Sequence, residues 1–420
     1  MWTVGVAQWF DIARRTEPLV NNRSYLKRDS YISLTAMMAA QVSVAMAIMT
    51  VPVLAPQIAG DLSVDPNLIG YYSSIAFLGA IIFTALAGSV VSRYGPVRTT
   101  QFALIGSASG LLVSLSGFLS LLAGGALAAG MGYGTATPAA SHILAHTIPK
   151  RHRGFVFSVK QTGVPLGGFL AGISVPPVAE NFGWQAGVLL VITILSFCGL
   201  ILQMLRRRYD MDRDPRIQIS ANETVLAARL ALTDSRLRAL SLAAFAYTMM
   251  QLSIFTFFVV VLVERGGIDP VAAGTIFAVM HVGGIVGRPL LGWISDRFLP
   301  ARPLLSSVGF AIFVTGIVLA QLDESWSPAT LSTISFATGM ITAGWNGVYI
   351  GEIARIVPNQ EVGRATGGVS ACAFSGVVIG PALFGATVSL SGTYAMGFMV
   401  VGAVAIVPAL LLLRVHHGAE

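Results

Sequence analysis

Charge is what this chain has least of. Asp, Glu, Lys and Arg make up 11% of its 420 residues, against roughly 25% in a soluble domain. A soluble protein with an oversized core would still need a charged surface, so that class is excluded. Cysteine is nearly absent: Cys198 and Cys372 fall in separate apolar runs, which leaves neither a disulfide framework nor a cysteine metal centre. Walker and dinucleotide glycine patterns are missing, and with them any support for an ATP-driven pump or an oxidoreductase. The start lacks the order of a cleavable signal peptide, because the charges follow the apolar stretch "WTVGVAQWF" instead of preceding it. An interfacial helix or a disordered tail is expected there.

What is present is length in apolar runs. About 20 such residues cross the hydrocarbon core of a bilayer, and runs of that size recur at 31–57, 67–91, 99–118, 121–146, 155–178, 185–205, 239–264, 269–293, 302–321, 328–351, 365–389 and 393–414. The net charge of +7 could point to nucleic acid, so the positions of the cations decide. Lys and Arg cluster in the N-terminal tail, in alternate loops, in the segment Arg206 to Arg238 and at Arg414, whereas the opposite loops contain only Arg265. That one-sidedness is the positive-inside signal. It predicts a multi-pass protein of the cell membrane with both termini cytoplasmic and no nucleic-acid partner.

The chain also repeats itself. "GSVVSRYGPVR" (Gly88 to Arg98) returns as "GWISDRFLPAR" (Gly292 to Arg302). Gly130-Met131 returns as Gly339-Met340, and Gly163, Gly167 and Gly172 return as Gly376, Gly380 and Gly385. Three matches in order at nearly one offset identify a duplicated six-span unit. The expected organisation is a tail (1–30), an N-terminal bundle (31–205), a linker (206–238), a C-terminal bundle (239–415) and a short tail (416–420). Within the linker, Ser220 and Glu223 have capping-box spacing ahead of an apolar-periodic run, which predicts a short amphipathic helix.

These residues resemble the major facilitator superfamily, whose loop signature is a Gly-x-x-x-Asp-Arg-x-Gly pattern between the second and third spans and again between the eighth and ninth. The resemblance implies an all-α membrane protein of twelve transmembrane helices, in two pseudo-symmetric six-helix bundles around a central cavity, working by alternating access. Glycines 88 and 292 are expected to let helices approach closely. Arg93, Arg98, Arg297 and Arg302 are expected at the membrane face, where they can bind helix ends, carboxylates or headgroups, or simply set topology. In the family the acid of this phrase is part of a conformational latch; Asp296 keeps it, while the first copy has Ser92.

Ionisable groups inside a span are candidates for function because they are costly there. No acid falls near the middle of a span, but Lys160, His281 and Arg288 do enter spans. A lining with cations and no carboxylate suits a small organic anion, with Arg288 able to clamp it bidentately and Lys160 adding a point charge. Snorkelling of both cations and pairing of Arg288 with Asp296 stay open. Neutral polar candidates are Gln41, Tyr133 and Gln161, and in the second half Tyr247, Gln251, Trp345, Asn346 and Tyr349. The resemblance places the first, fourth, seventh and tenth spans around the cavity. In the family, a Gly-Pro-x-x-Gly-Gly signature in the fifth span accompanies antiport. Here Gly163-Val164-Pro165-Leu166-Gly167-Gly168 is one residue out of register, and Ala126 stands where proton-coupled exporters carry an arginine. Both departures lean towards uptake; a monomer is expected, with proton coupling through His281, the best-placed titrating group. Efflux by antiport and anion exchange are the alternatives. His142 and His146, four apart on one helix face, have zinc-site spacing, but no third ligand stands nearby in sequence, so neither a metal nor a cofactor is expected.

Overall fold

The computed structural model describes residues 23–148, 153–358 and 362–414, and every described element is helical. The expectations for the N-terminal tail up to residue 22 and for the tail 416–420 lie outside the described residues. The first six spans are Arg23–Leu62, Ile69–Tyr94, Pro96–Ser114, Leu119–Thr147, Arg153–Gln161 with Gly163–Phe182, and Trp184–Leu202. The second six are Ser235–Glu264, Pro270–Arg297, Ala301–Ala320, Pro328–Gly344 with Asn346–Ile356, Val362–Ser391, and Tyr394–Ala403 with Ile406–Arg414. Among the described residues, nine helices are long and apolar enough to cross a membrane on those grounds alone. The third, fourth and tenth spans are diluted by Gly, Ala, Ser and Thr, which suits surfaces packed against protein rather than lipid.

Helix ends follow local chemistry. Asp269 accepts hydrogen bonds from the Val271 and Ala272 amides with Pro270 behind it, and Ser327 accepts from Thr330 ahead of the tenth span. Gly95, at φ +90°, turns the second span directly into the third. The first and seventh spans are the most enclosed, with 83% and 89% of their apolar windows buried, against 22% for the sixth. The first and seventh therefore form the centre, and the sixth faces outward.

The repeated glycines explain how the halves are built and joined. A Cβ at Gly167 would strike the Val42 carbonyl, which seats the fifth span on the first. Gly376 and Gly380 seat the eleventh on the seventh in the same way, against the carbonyls of Phe245 and Met249. Between the halves, Gly172 and Gly274 bring the fifth and eighth spans together, while Gly70 meets the Pro381 carbonyl and Gly385 the turn at Asn67. Gly88 and Gly292 depart from expectation: a Cβ at either would meet nothing within 4 Å. In this state they lie beyond the region where helices touch.

The linker straps both halves on the basic face. Asp210 accepts hydrogen bonds from the amides of Val97 (2.7 Å) and Arg98 (3.1 Å) at the buried start of the third span, and the Asp214 amide donates to the Ser92 carbonyl. The helix Asn222–Thr233 then packs Ala227 and Ala231 against Gly368 of the eleventh span. That helix starts one residue later than a Ser220 cap would require. Its N-cap is Ala221, without a side-chain hydrogen bond, and the Ser220 amide donates to the Ser89 hydroxyl instead.

Candidate functional site

Two helices break at the level of the polar candidates, and both breaks have a local cause. Pro165 has no amide hydrogen for the Gln161 carbonyl, so the fifth span stops at Gln161 and restarts at Gly163. In the tenth, the Trp345 indole donates to the Thr342 carbonyl (2.8 Å) and the Asn346 amide to the Ala343 carbonyl (3.1 Å). Side chains thus take up carbonyls that the helix ladder would otherwise use.

Lys160 stands immediately before the first break and is 1% exposed. It does not snorkel. Its ammonium donates to Gln41 Oε1 (2.7 Å), Thr137 Oγ1 (3.1 Å) and, at 3.5 Å, Gln161 Oε1. Thr137 also donates to Gln41 Oε1 at 3.0 Å. An ammonium can only donate, so the oxygen of Gln41 must face it. Gln41 Nε2 is then left buried without a partner.

Arg288, on the eighth span, reaches across to the other half. Its Nη1 donates to the Gln161 carbonyl that Pro165 leaves free, and its Nε donates to Ala343 at 3.3 Å. It does not pair with Asp296, which is exposed and makes no hydrogen bond or ion pair with a described residue. The charge of Arg288 extends to Lys160, Tyr133, Tyr349 and His281. Tyr349 shares a 3.4 Å contact with the Ser370 hydroxyl, and Tyr133 packs edge-on against Phe77.

The structure therefore gathers Gln41, Tyr133, Lys160, Gln161, Arg288, Asn346 and Tyr349. Two further candidates belong to packing. Tyr247 is fully buried and its hydroxyl donates to the Leu305 carbonyl (2.7 Å), tying the seventh span to the ninth. Trp345 is 1% exposed and wedged edge-on against Tyr247. Gln251 is half-buried and makes no hydrogen bond with a described residue. His281 feels the same charge but makes no hydrogen bond: Phe255, Phe277 and Gly168 enclose its ring, and neither nitrogen has a partner among the described residues. Thr137 and Ser370 were not singled out in the sequence; only spacing one turn after Tyr133 marks Thr137.

The basic loops are organised differently in the two halves. Arg302 pairs with Glu352 (2.9 Å), which also meets Arg355, while Arg297 is exposed and unpaired among the described residues. Arg98 donates to Gln101, and Arg93 donates to the Ile217 carbonyl of the linker. The phrase that lacks its own acid thus receives one from the linker, Asp210. Burial pushes that carboxyl above the usual range, opposed by the Val97 and Arg98 amides.

Twelve helices in two matching bundles, with polar and cationic side chains at broken helices inside, define a membrane transporter and not an enzyme. Residues 37–350 match the family model described as Major Facilitator Superfamily, and the chain belongs to that family. It is similar to the hexuronate transporter of Bacillus subtilis, 25% identical over 86% of this chain and 89% of that protein. It also resembles the gallate transporter of Pseudomonas putida, 24% identical over 87% of each. The gentisate transporter of Corynebacterium glutamicum is 26% identical over 84% of this chain and 80% of that protein. In fold it matches a bacterial homologue of the human lysosomal transporter Spinster, crystallised inward-facing and occupied, with a TM-score of 0.72. That match has 16% identity over 95% of this chain and 98% of the other.

Proposed function

We propose that this protein carries a small organic carboxylate, of the sugar-acid or hydroxylated aromatic-acid kind, across the cell membrane by alternating access. One observation carries the reading: Lys160 and Arg288 lie within spans without any carboxylate partner among the described residues. They are held by neutral oxygens, and the buried Gln41 Nε2 beside them needs an acceptor. A carboxylate supplies both missing features, a negative charge and lone pairs. The names of the hexuronate, gallate and gentisate relatives support the same class.

The working units are residues 31–205 and 239–415, joined by 206–238 and acting as a monomer. The basic face is cytoplasmic, in keeping with the loop charges. The interhalf contacts at Gly70–Pro381 and Gly385–Asn67 lie at the other end, so this state is closed to the outside. Transport is proton-coupled uptake. His281 takes its proton only when the fifth and eighth spans part, because Gly168, Phe255 and Phe277 seal it here.

Counterflow in proteoliposomes tests the class. Labelled gallate, gentisate or a hexuronate is expected to exchange saturably, and exchange of cations alone would reject the proposal. His281→Gln is expected to stop accumulation driven by a pH gradient yet leave counterflow intact; unchanged accumulation removes its role.

A further inference from the structure

The histidine pair at the linker-side end of the fourth span gains in the fold what it lacks in sequence. His142 and His146 lie one turn apart on one helix face, and their rings are 4.6 Å apart between centroids with a 35° tilt. The linker brings Asp212 over them, with the His142 Nε2 to Asp212 Oδ2 separation at 2.9 Å. The three ligand atoms all lie within 4.8 Å of one another. Nothing in the transport site uses them.

Two details go beyond proximity. His146 Nδ1 is 2.8 Å from the His142 carbonyl. A carbonyl only accepts, so that nitrogen carries the hydrogen and the Nε2 lone pair is left available. Such a backbone bond to the second ring nitrogen is the usual support of a metal-bound imidazole. A 2.9 Å gap between nitrogen and oxygen is also short enough for one ion with bonds of about 2.0–2.2 Å to reach both atoms. A metal entering here would replace the His142–Asp212 hydrogen bond and draw in the three ligand atoms, which lie within 4.8 Å of one another. Asp212 and His146 are exposed and His142 is partly so, so the site is open to solution and to further water ligands.

We propose that His142, His146 and Asp212 form a site for a divalent transition cation of the zinc type. Two imidazoles and one carboxylate favour such ions over magnesium or calcium, which prefer oxygen ligands. The metal pins the first part of the linker to the fourth span. The rest of the linker is packed on the eleventh span through Ala227 and Ala231, so the strap joins both halves on the face that must rearrange during transport. Binding therefore holds the strap in its present position and acts as a brake from that side.

The test uses the full chain, purified without a polyhistidine tag and with His152→Ala, His416→Ala and His417→Ala, so that the remaining histidines outside the spans do not contribute. Titration with zinc chloride against a chromophoric chelator is expected to show one ion per chain. His146→Ala and Asp212→Asn are each expected to lower zinc affinity at least about tenfold. Cobalt added to the chain with all three ligands is expected to give the visible absorption of a nitrogen- and oxygen-ligated ion. Absence of both signals, or equal zinc binding by a His142→Ala/His146→Ala chain that elutes monodisperse, overturns the site. In proteoliposomes, zinc on the linker side is expected to slow anion exchange in the parent but not in Asp212→Asn, whose zinc-free exchange is unchanged. Binding without slowing overturns the brake. The binding arm needs no transported anion, so its outcome is separate from the substrate assignment above.

Discussion

At the scale of single residues, the site is a charge held without its counter-charge. Lys160 is anchored by three neutral oxygens and Arg288 by two carbonyls, so no acid among the described residues neutralises either group. A hydrogen bond to a charged group contributes about 1.5–3 kcal/mol. Lys160→Gln and Arg288→Gln are therefore each expected to weaken carboxylate binding by about 10- to 100-fold. The measurement is the rise in melting temperature that a carboxylate produces in detergent-purified protein. Both cations could be found in the sequence because a charge in an apolar run is conspicuous. Thr137 could not, since a threonine in a helix usually bonds its own backbone, and only the fold shows its hydroxyl between Lys160 and Gln41. His281 and Arg288 share one helix face by spacing, yet the histidine ring packs among Phe255, Phe277 and Gly168 instead of joining the hydrogen bonds around Arg288. Gly168 of the fifth span lies against the ring, so in this state the histidine makes no hydrogen bond with the polar cluster.

At the scale of elements, the linker and the glycine crossings carry the mechanics. Asp210 caps the third span from outside it, and Gly95 leaves room for its carboxylate. Asp210→Ala removes that cap, and a loss of about 1 kcal/mol is expected, as for other N-caps. It should appear as a lower melting temperature together with faster proteolysis of the segment around Arg213. Gly172 faces the Gly274 carbonyl at the crossing of the fifth and eighth spans. A leucine there cannot be accommodated while the spans touch, so Gly172→Leu is expected to favour the state in which they part. Cysteines introduced on the face opposite the linker would then react faster with a membrane-impermeant thiol reagent; an unchanged rate would count against the crossing as a pivot.

At the scale of the whole molecule, the two basic phrases show how duplication and function diverge. The second copy keeps Asp296, yet here its carboxylate is unpaired among the described residues, while Arg302 binds Glu352. If Asp296 latches, it does so in the alternate state. Asp296→Asn is then expected to raise the population seen here, read as slower labelling from the opposite face. The sequence alone was sufficient for the class: apolar run length, one-sided cations and a glycine pattern recurring at nearly one offset demand a duplicated bundle in lipid. These are one-dimensional properties, because a bilayer imposes a fixed length and a charge asymmetry on every span. Only the tertiary structure decided which candidates meet. The break in the fifth span leaves Gln161 to both Lys160 and Arg288, the eighth span delivers an arginine to a carbonyl of the fifth, and the linker lays Asp210 and Asp212 on the first half. Each of those encounters joins residues far apart in the chain, so it is set by packing between helices that no local pattern encodes.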